Sequence, residues 1–233
     1  MRYYPIFADI KGRPCVVIGG GEVALRKAEG LVSAGAQVTI ISPGLNGGLK
    51  RLVGAKKARH IKRGYMRGDL AGAFLAVSAS DSRGVNRAVF EEASSLDILV
   101  NVVDNPSLCN FIAPAVLNRG SLSIAVSTSG KSPLFARTLR EGLEEAIGAE
   151  YAAFIEVLGA VRKNLLKKGV EGDKKERVIK AFVNSPLPLW IRIGDVKEIN
   201  RFLQRHLGKG NTLSRLGVKI EVPRGKPRLI FDI

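Results

Sequence analysis

Apolar residues fall along the first 110 positions in two alternating rhythms. Short, mostly apolar runs at 13–18, 36–41, 74–78 and 98–103 have the length of strands buried on both faces. Between the first two, Val23, Ala24, Ala28, Leu31 and Val32 follow helical spacing and predict a helix over 22–34. Gly35 ends it where a left-handed cap is wanted. A short helix is expected within 45–58, an edge strand over 60–65, and a helix through about Ser94 capped by the Ser80/Asp81 turn. Strands alternating with helices at this pitch predict an α/β domain with a parallel, doubly wound sheet.

Past residue 110 the rhythm changes. Two extended runs, 111–116 and 121–127, flank a hairpin-like turn at Asn118-Arg119-Gly120. Pro133 opens a long helix carrying Ala136, Leu139, Leu143 and Ile147. Further helices are expected over 150–168, 174–184 and 195–207, the last headed by Asp195 as N-cap. The runs 218–222 and 228–231 read as a small hairpin.

With 233 residues and 45% apolar content, the chain can bury one large core or several small ones. No apolar run approaches the roughly 18 residues of a membrane helix, and no apolar signal segment follows Met1, so no membrane association and a cytoplasmic protein are expected. Cys15 and Cys109 predict small apolar fillers rather than a disulfide framework, and His60 and His206 are too few for a histidine-rich metal site.

Charge alters the picture more. The net charge is +16, with 15 Lys/Arg against 9 Asp/Glu in residues 1–110 and 22 against 12 in 111–233, so the excess is spread throughout. Such a field attracts polyanions, or is simply a basic, well-solvated surface. Aromatic residues are only 6% of the chain and are not interleaved with the basic ones, which argues against a nucleic-acid partner.

The candidate chemistry gathers at strand ends, where open parallel sheets bind ligands. Gly19, Gly21 and Ala24 fit the G-x-G-x-x-G/A dinucleotide fingerprint: a tight turn, room for a pyrophosphate, and close helix packing. Glu22 and Val23 then bring the free amides of the helix start to the phosphates. The competing explanation is a tight structural turn. After the second strand stand Ser42, Pro43 and Gly44, where an NAD-binding unit often has an acidic residue, so NAD and NADP stay open. Ser80, after the 74–78 run, is a further cofactor candidate. The 98–103 run carries Asn101 near its end and is followed by Asp104; a carboxylate at a crevice edge serves as proton acceptor or donor, or caps the turn before Pro106. Ser127, Thr128 and Ser129 open an anion-friendly loop that also reads as an ordinary helix approach, and with Asn101 they are the candidate substrate contacts.

Five segments occur together in order: Tyr4-Pro5-Ile6-Phe7, Val17 to Lys27, Asn101-Val102-Val103-Asp104, Phe111-Ile112-Ala113-Pro114, and Ser127 to Pro133. Over residues 3 to about 150 the chain resembles the precorrin-2 dehydrogenase family of sirohaem biosynthesis, found alone or as the N-terminal part of sirohaem synthase. The resemblance implies a Rossmann-type NAD-binding domain over 1–112, a small mixed α/β dimerisation segment over 113–149, and a mainly helical C-terminal domain over 150–233. It implies NAD-dependent oxidation of precorrin-2, a tetrapyrrole polycarboxylate, to sirohydrochlorin in a homodimer. Some members also insert ferrous iron, which is then a substrate. Carried onto this sequence, the nucleotide loop falls on Gly21, Glu22 and Val23 and a second contact on Pro43 and Gly44. The essential carboxylate falls on Asp104, which is also a transient iron ligand if iron is inserted, and Thr128 lies near the tetrapyrrole pocket. A non-enzymatic NAD-binding redox sensor is the alternative, marked by nucleotide binding without tetrapyrrole binding.

Overall fold

The computed structural model describes residues 3–220, so the expected tail hairpin lies, from 221 on, outside the described residues. Two compact units emerge among the described residues: 3–113 with 129–131, and 114–128 with 132–220.

In the first unit the buried runs become five parallel strands: β1 (Pro14–Ile18), β2 (Gln37–Ile41), β3 (Ala58–Ile61), β4 (Leu75–Ser78) and β5 (Leu99–Val102), in the order β3-β2-β1-β4-β5. Their connections carry α1 (Glu22–Ser33), α2 (Gly47–Gly54) and α3 (Arg83–Ser95). Successive strand residues face opposite sides. Cys15, Val17, Val38, Ile40 and Val77 pack with Ala24 and Ala28 of α1 and Leu49 of α2. Val16, Ile18, Ile41, Ala76, Val100 and Val102 pack instead with Val89 and Ala93 of α3. Both sheet faces are therefore buried, which is why these strands read as apolar runs rather than alternating ones. The strand order reverses between β1 and β4, and such a reversal opens a crevice beyond the carboxyl ends of the strands.

Local details differ from expectation. The cap of α3 is Ser82, whose hydroxyl accepts from the Val85 amide, not Ser80 or Asp81. The edge strand sits at Ala58–Ile61, because its residues pair with Val38 to Ile41 of β2 rather than continuing to Tyr65.

In the second unit β6 (Ala115–Arg119) and β7 (Leu122–Val126) form an antiparallel pair. Asn118 pairs with Ser123 and Arg119 with Leu122, so the turn is Gly120-Ser121, with Gly120 left-handed at φ 59°. α4 (Pro133–Ala146) is capped by Ser132. There follow α5 (Glu150–Lys167), α6 (Gly172–Val183), α7 (Leu187–Ile193), α8 (Val196–Leu207) and α9 (Leu213–Leu216). Phe154, Val157, Val161 and Leu165 form one stripe of α5 and meet Phe182, Leu187, Ile191, Ile199 and Leu203. The expected Asp195 cap is present, accepting from the Glu198 amide at 3.0 Å. α7 and α9 were not expected. Leu187-Pro188-Leu189-Trp190-Ile191 is too uniformly apolar to show a helical period, and α9 is a single turn. Among the described residues no helix is long and apolar enough to cross a membrane.

Candidate functional site

The three glycines after β1 have different reasons to be glycine. Gly19 is left-handed at φ 127°, and a Cβ there would overlap the Ala79 carbonyl. A Cβ on Gly20 would overlap the Gly44 carbonyl oxygen. Gly21 is the N-cap of α1, its φ of −91° suits any residue, and a Cβ on it would meet nothing within 4 Å. The fold needs the first two; among the described residues nothing needs the third. Gly21 also brings no side-chain cap to α1, so the first amides of Glu22 and Val23 are left for a ligand. An anion such as a pyrophosphate fits this start, where the chain offers open space and the positive end of a helix dipole.

The walls of this loop are fixed by hydrogen bonds. The Gly19 amide donates to Ile41 and the Ala79 amide to Ile18, at 3.0 and 2.7 Å. Ser42 is buried, and its hydroxyl donates to the Gly44 carbonyl at 2.7 Å, shaping the Ser42-Pro43-Gly44 turn. His60 Nε2 lies 2.9 Å from the Ser42 carbonyl oxygen. Asn46 was not singled out from sequence, yet its amide donates to Gly20, its Oδ1 caps α2, and its Nδ2 donates to Glu22 at 2.7 Å. The signal was there: an Asn directly before a helix start. On the far wall, Asn86 of α3 donates to the Ser80 carbonyl at 2.9 Å, while the Ser80 hydroxyl accepts from the Ser82 amide.

Asp104 follows β5 and is exposed, in a turn closed by the Asn105 amide donating to the Val102 carbonyl at 3.2 Å. Its φ is 57°, a left-handed conformation that favours glycine or asparagine at this turn position. Lys56, Asp97 and Ser129 share this conformation, which a short Asp side chain tolerates, so the backbone marks a tight turn and exposure leaves the carboxylate accessible. Lys27, one and a half turns into α1, lies within electrostatic reach. Burial, with Arg26 beside it, pushes its ammonium below the usual lysine value, while Asp104 and Cys109 pull it back up. The adjacent Asn101 is engaged: its Nδ2 donates to the Phe111 carbonyl at 3.1 Å.

Gly19, Gly21, Glu22, Val23, Ser42, Pro43, Gly44, Ser80, Asn101 and Asp104 thus all belong to the strand ends of the first unit. Ser127 and Thr128 belong to the second unit, whereas Ser129, left-handed at φ 53°, groups with the first. The Thr128 hydroxyl donates to the Ser132 carbonyl and accepts from the Ser132 amide, at 3.0 and 3.1 Å, so it closes its own loop before α4. Among the described residues no group of three or more His, Cys, Asp or Glu side chains is placed to hold a metal ion.

Comparison with known proteins agrees with this geometry. A family model described as putative NAD(P)-binding matches residues 6–115, and one described as sirohaem biosynthesis protein central matches 119–146. The chain is 41% identical over 167 residues to a siroheme synthase of Photobacterium profundum, covering 72% of this chain and 36% of that protein. It is 35% identical over 233 residues to siroheme synthase 2 of Aeromonas salmonicida, covering 99% of this chain and 48% of that protein. The chain thus spans half or less of the length of these curated relatives. A solved structure described as SirC, precorrin-2 dehydrogenase, matches with a TM-score of 0.74 at 27% identity, over 87% of this chain and 98% of that one. With a nucleotide-binding half and a sirohaem-specific segment matched in sequence order, the chain belongs to the precorrin-2 dehydrogenase family of sirohaem biosynthesis.

Proposed function

We propose that the chain oxidises precorrin-2 to sirohydrochlorin. The observation that carries this reading is the pairing, in one unit, of an uncapped glycine start on α1 with an exposed carboxylate, Asp104, at the end of β5. NAD, when bound, supplies the hydride acceptor. The Glu22 and Val23 amides donate to its pyrophosphate, and Gly21 lets the phosphates reach them. The Ser42-Pro43-Gly44 turn and Ser80 flank it, with backbone groups meeting the ribose, since no acid ends β2 and the Ser42 hydroxyl is engaged. The substrate loses one hydride and one proton; Asp104 takes the proton. Thr128, with Ser127 and Ser129, contributes to holding the substrate. The segment 113–149 joins two subunits.

Asp104→Asn removes the proton acceptor and keeps the shape. In an anaerobic assay of NADH formation from precorrin-2, turnover falls about 100-fold or more, the low end of what a general base supplies, with NAD affinity retained. Wild-type turnover would remove Asp104 from the chemistry. NAD binding by the wild-type chain without any tetrapyrrole binding would favour the redox-sensor reading.

A further inference from the structure

β5 is an edge strand, and among the described residues no further strand pairs with its outer side. The chain instead doubles back through a 3₁₀ turn, Pro106–Leu108, and lays two side chains along that edge. Asn110 donates its amide to the Val100 carbonyl at 3.1 Å, accepts the Val100 amide on Oδ1 at 2.7 Å, and donates from Nδ2 to Ile98 at 2.8 Å. Cys109 continues the row. Its sulfur accepts the Val102 amide at 3.2 Å and stands 3.2 Å from both the Val102 and the Asn105 carbonyl oxygens.

Val102 and Asn105 are the first and last residues of the turn that carries Asp104. One buried thiol therefore spans the turn from both ends, and its single proton serves either carbonyl. The turn has reason to need this, because Asp104 is left-handed without being glycine. Asn101, a candidate substrate contact, also donates from Nδ2 to the Cys109 sulfur at 3.6 Å.

We infer that Cys109, with Asn110, is a positioning residue of the catalytic centre: its thiol holds the turn in which Asp104 presents its carboxylate. This rests on the reading of Asp104 as the proton acceptor. Removing the thiol lets the turn relax and the carboxylate drift, and misplacements near 1 Å cost on the order of tenfold to 100-fold in turnover.

The test compares the wild-type chain with Cys109→Ala, Cys109→Ser and Asp104→Asn. In Cys109→Ala, kcat for NADH formation falls about tenfold while KM for NAD stays within about twofold, and backbone amides across 102–105 exchange hydrogen faster. Cys109→Ser, which can accept and donate in the same place, recovers part of the lost kcat. NAD binding by each variant reports that the first unit is folded. A Cys109→Ala kcat equal to wild type, unchanged exchange across 102–105, or serine no better than alanine would each overturn the clamp. Full turnover by Asp104→Asn would instead overturn the base assignment and the clamp's catalytic purpose with it, even if exchange across 102–105 still rose.

Discussion

At the scale of single residues, the three consecutive glycines separate what the fold requires from what a ligand requires. Gly20→Ala puts a methyl into the Gly44 carbonyl, so it displaces the Ser42-Pro43-Gly44 turn and destabilises the unit along with its nucleotide site. Gly21→Ala meets nothing among the described residues. The expected outcome is an unchanged thermal midpoint with NAD affinity weakened about tenfold or more, because the methyl occupies the path of the phosphates to the helix amides. Calorimetric titration beside a melting curve checks it, and unimpaired NAD affinity would show that the phosphates bind elsewhere. Gly19, Gly21 and Asp104 were legible from sequence because each stands beside a recognisable strand end. The links made by Asn46 and Cys109 were not, since they depend on partners up to 26 positions away or on a doubled-back loop. The Ser42 side chain, a candidate cofactor contact by its place after the second strand, turns to Gly44 because a buried hydroxyl needs a partner of its own.

At the scale of elements, strands read well and short helices poorly. Doubly buried strands are short, mostly apolar runs, whereas α7 and α9 owe their existence to a core assembled from α5, α6 and α8. One contact between α3 and the loop before β4 was equally invisible. Glu92 of α3 is buried and accepts the Gly68 and Leu70 amides, each at 2.9 Å, together with the Tyr65 hydroxyl. Burial alone would raise its carboxyl. The Tyr65 hydroxyl and the two amides outweigh that and hold it below the usual carboxylate value, while Tyr65 is pushed well up by burial and by Glu92. Nearby, Asp69 is lowered by the guanidinium of Arg63, bonded at 2.6 and 2.7 Å. A carboxyl depressed on folding lends stability that is full above its unfolded value and is lost as pH falls through its folded one. Glu92→Gln turns a donor toward backbone amides and is expected to cost about 1–3 kcal/mol at neutral pH, and to flatten the loss of stability in acid. Urea denaturation at neutral and acid pH measures both, and an unchanged acid slope would refute the assignment.

At the scale of the whole molecule, the sequence conveyed the class and order of the parts more clearly than their grouping. The nucleotide-binding half followed from its rhythm. That residues 129–131 group with it while their neighbours do not is a matter of contacts no local pattern encodes. The proposed pairing of subunits is supported by Leu134 and Phe135 of α4, 74% and 58% exposed, with Leu139 and Val116 also exposed. Apolar side chains clustered on one small segment mark an association surface, and a twofold pair is the commonest way to cover one. Light scattering is expected to give twice the chain mass, and Phe135→Glu to halve it; a wild-type monomer at micromolar concentration would end the proposal. The doubled-back segment along β5 has one more effect. A bare sheet margin offers a template on which a strand from another molecule can stack, the usual start of edge-to-edge aggregation. Here Asn110 and Cys109 fill the hydrogen-bonding row from Ile98 to Val102, so the margin next to Asp104 is closed to such growth.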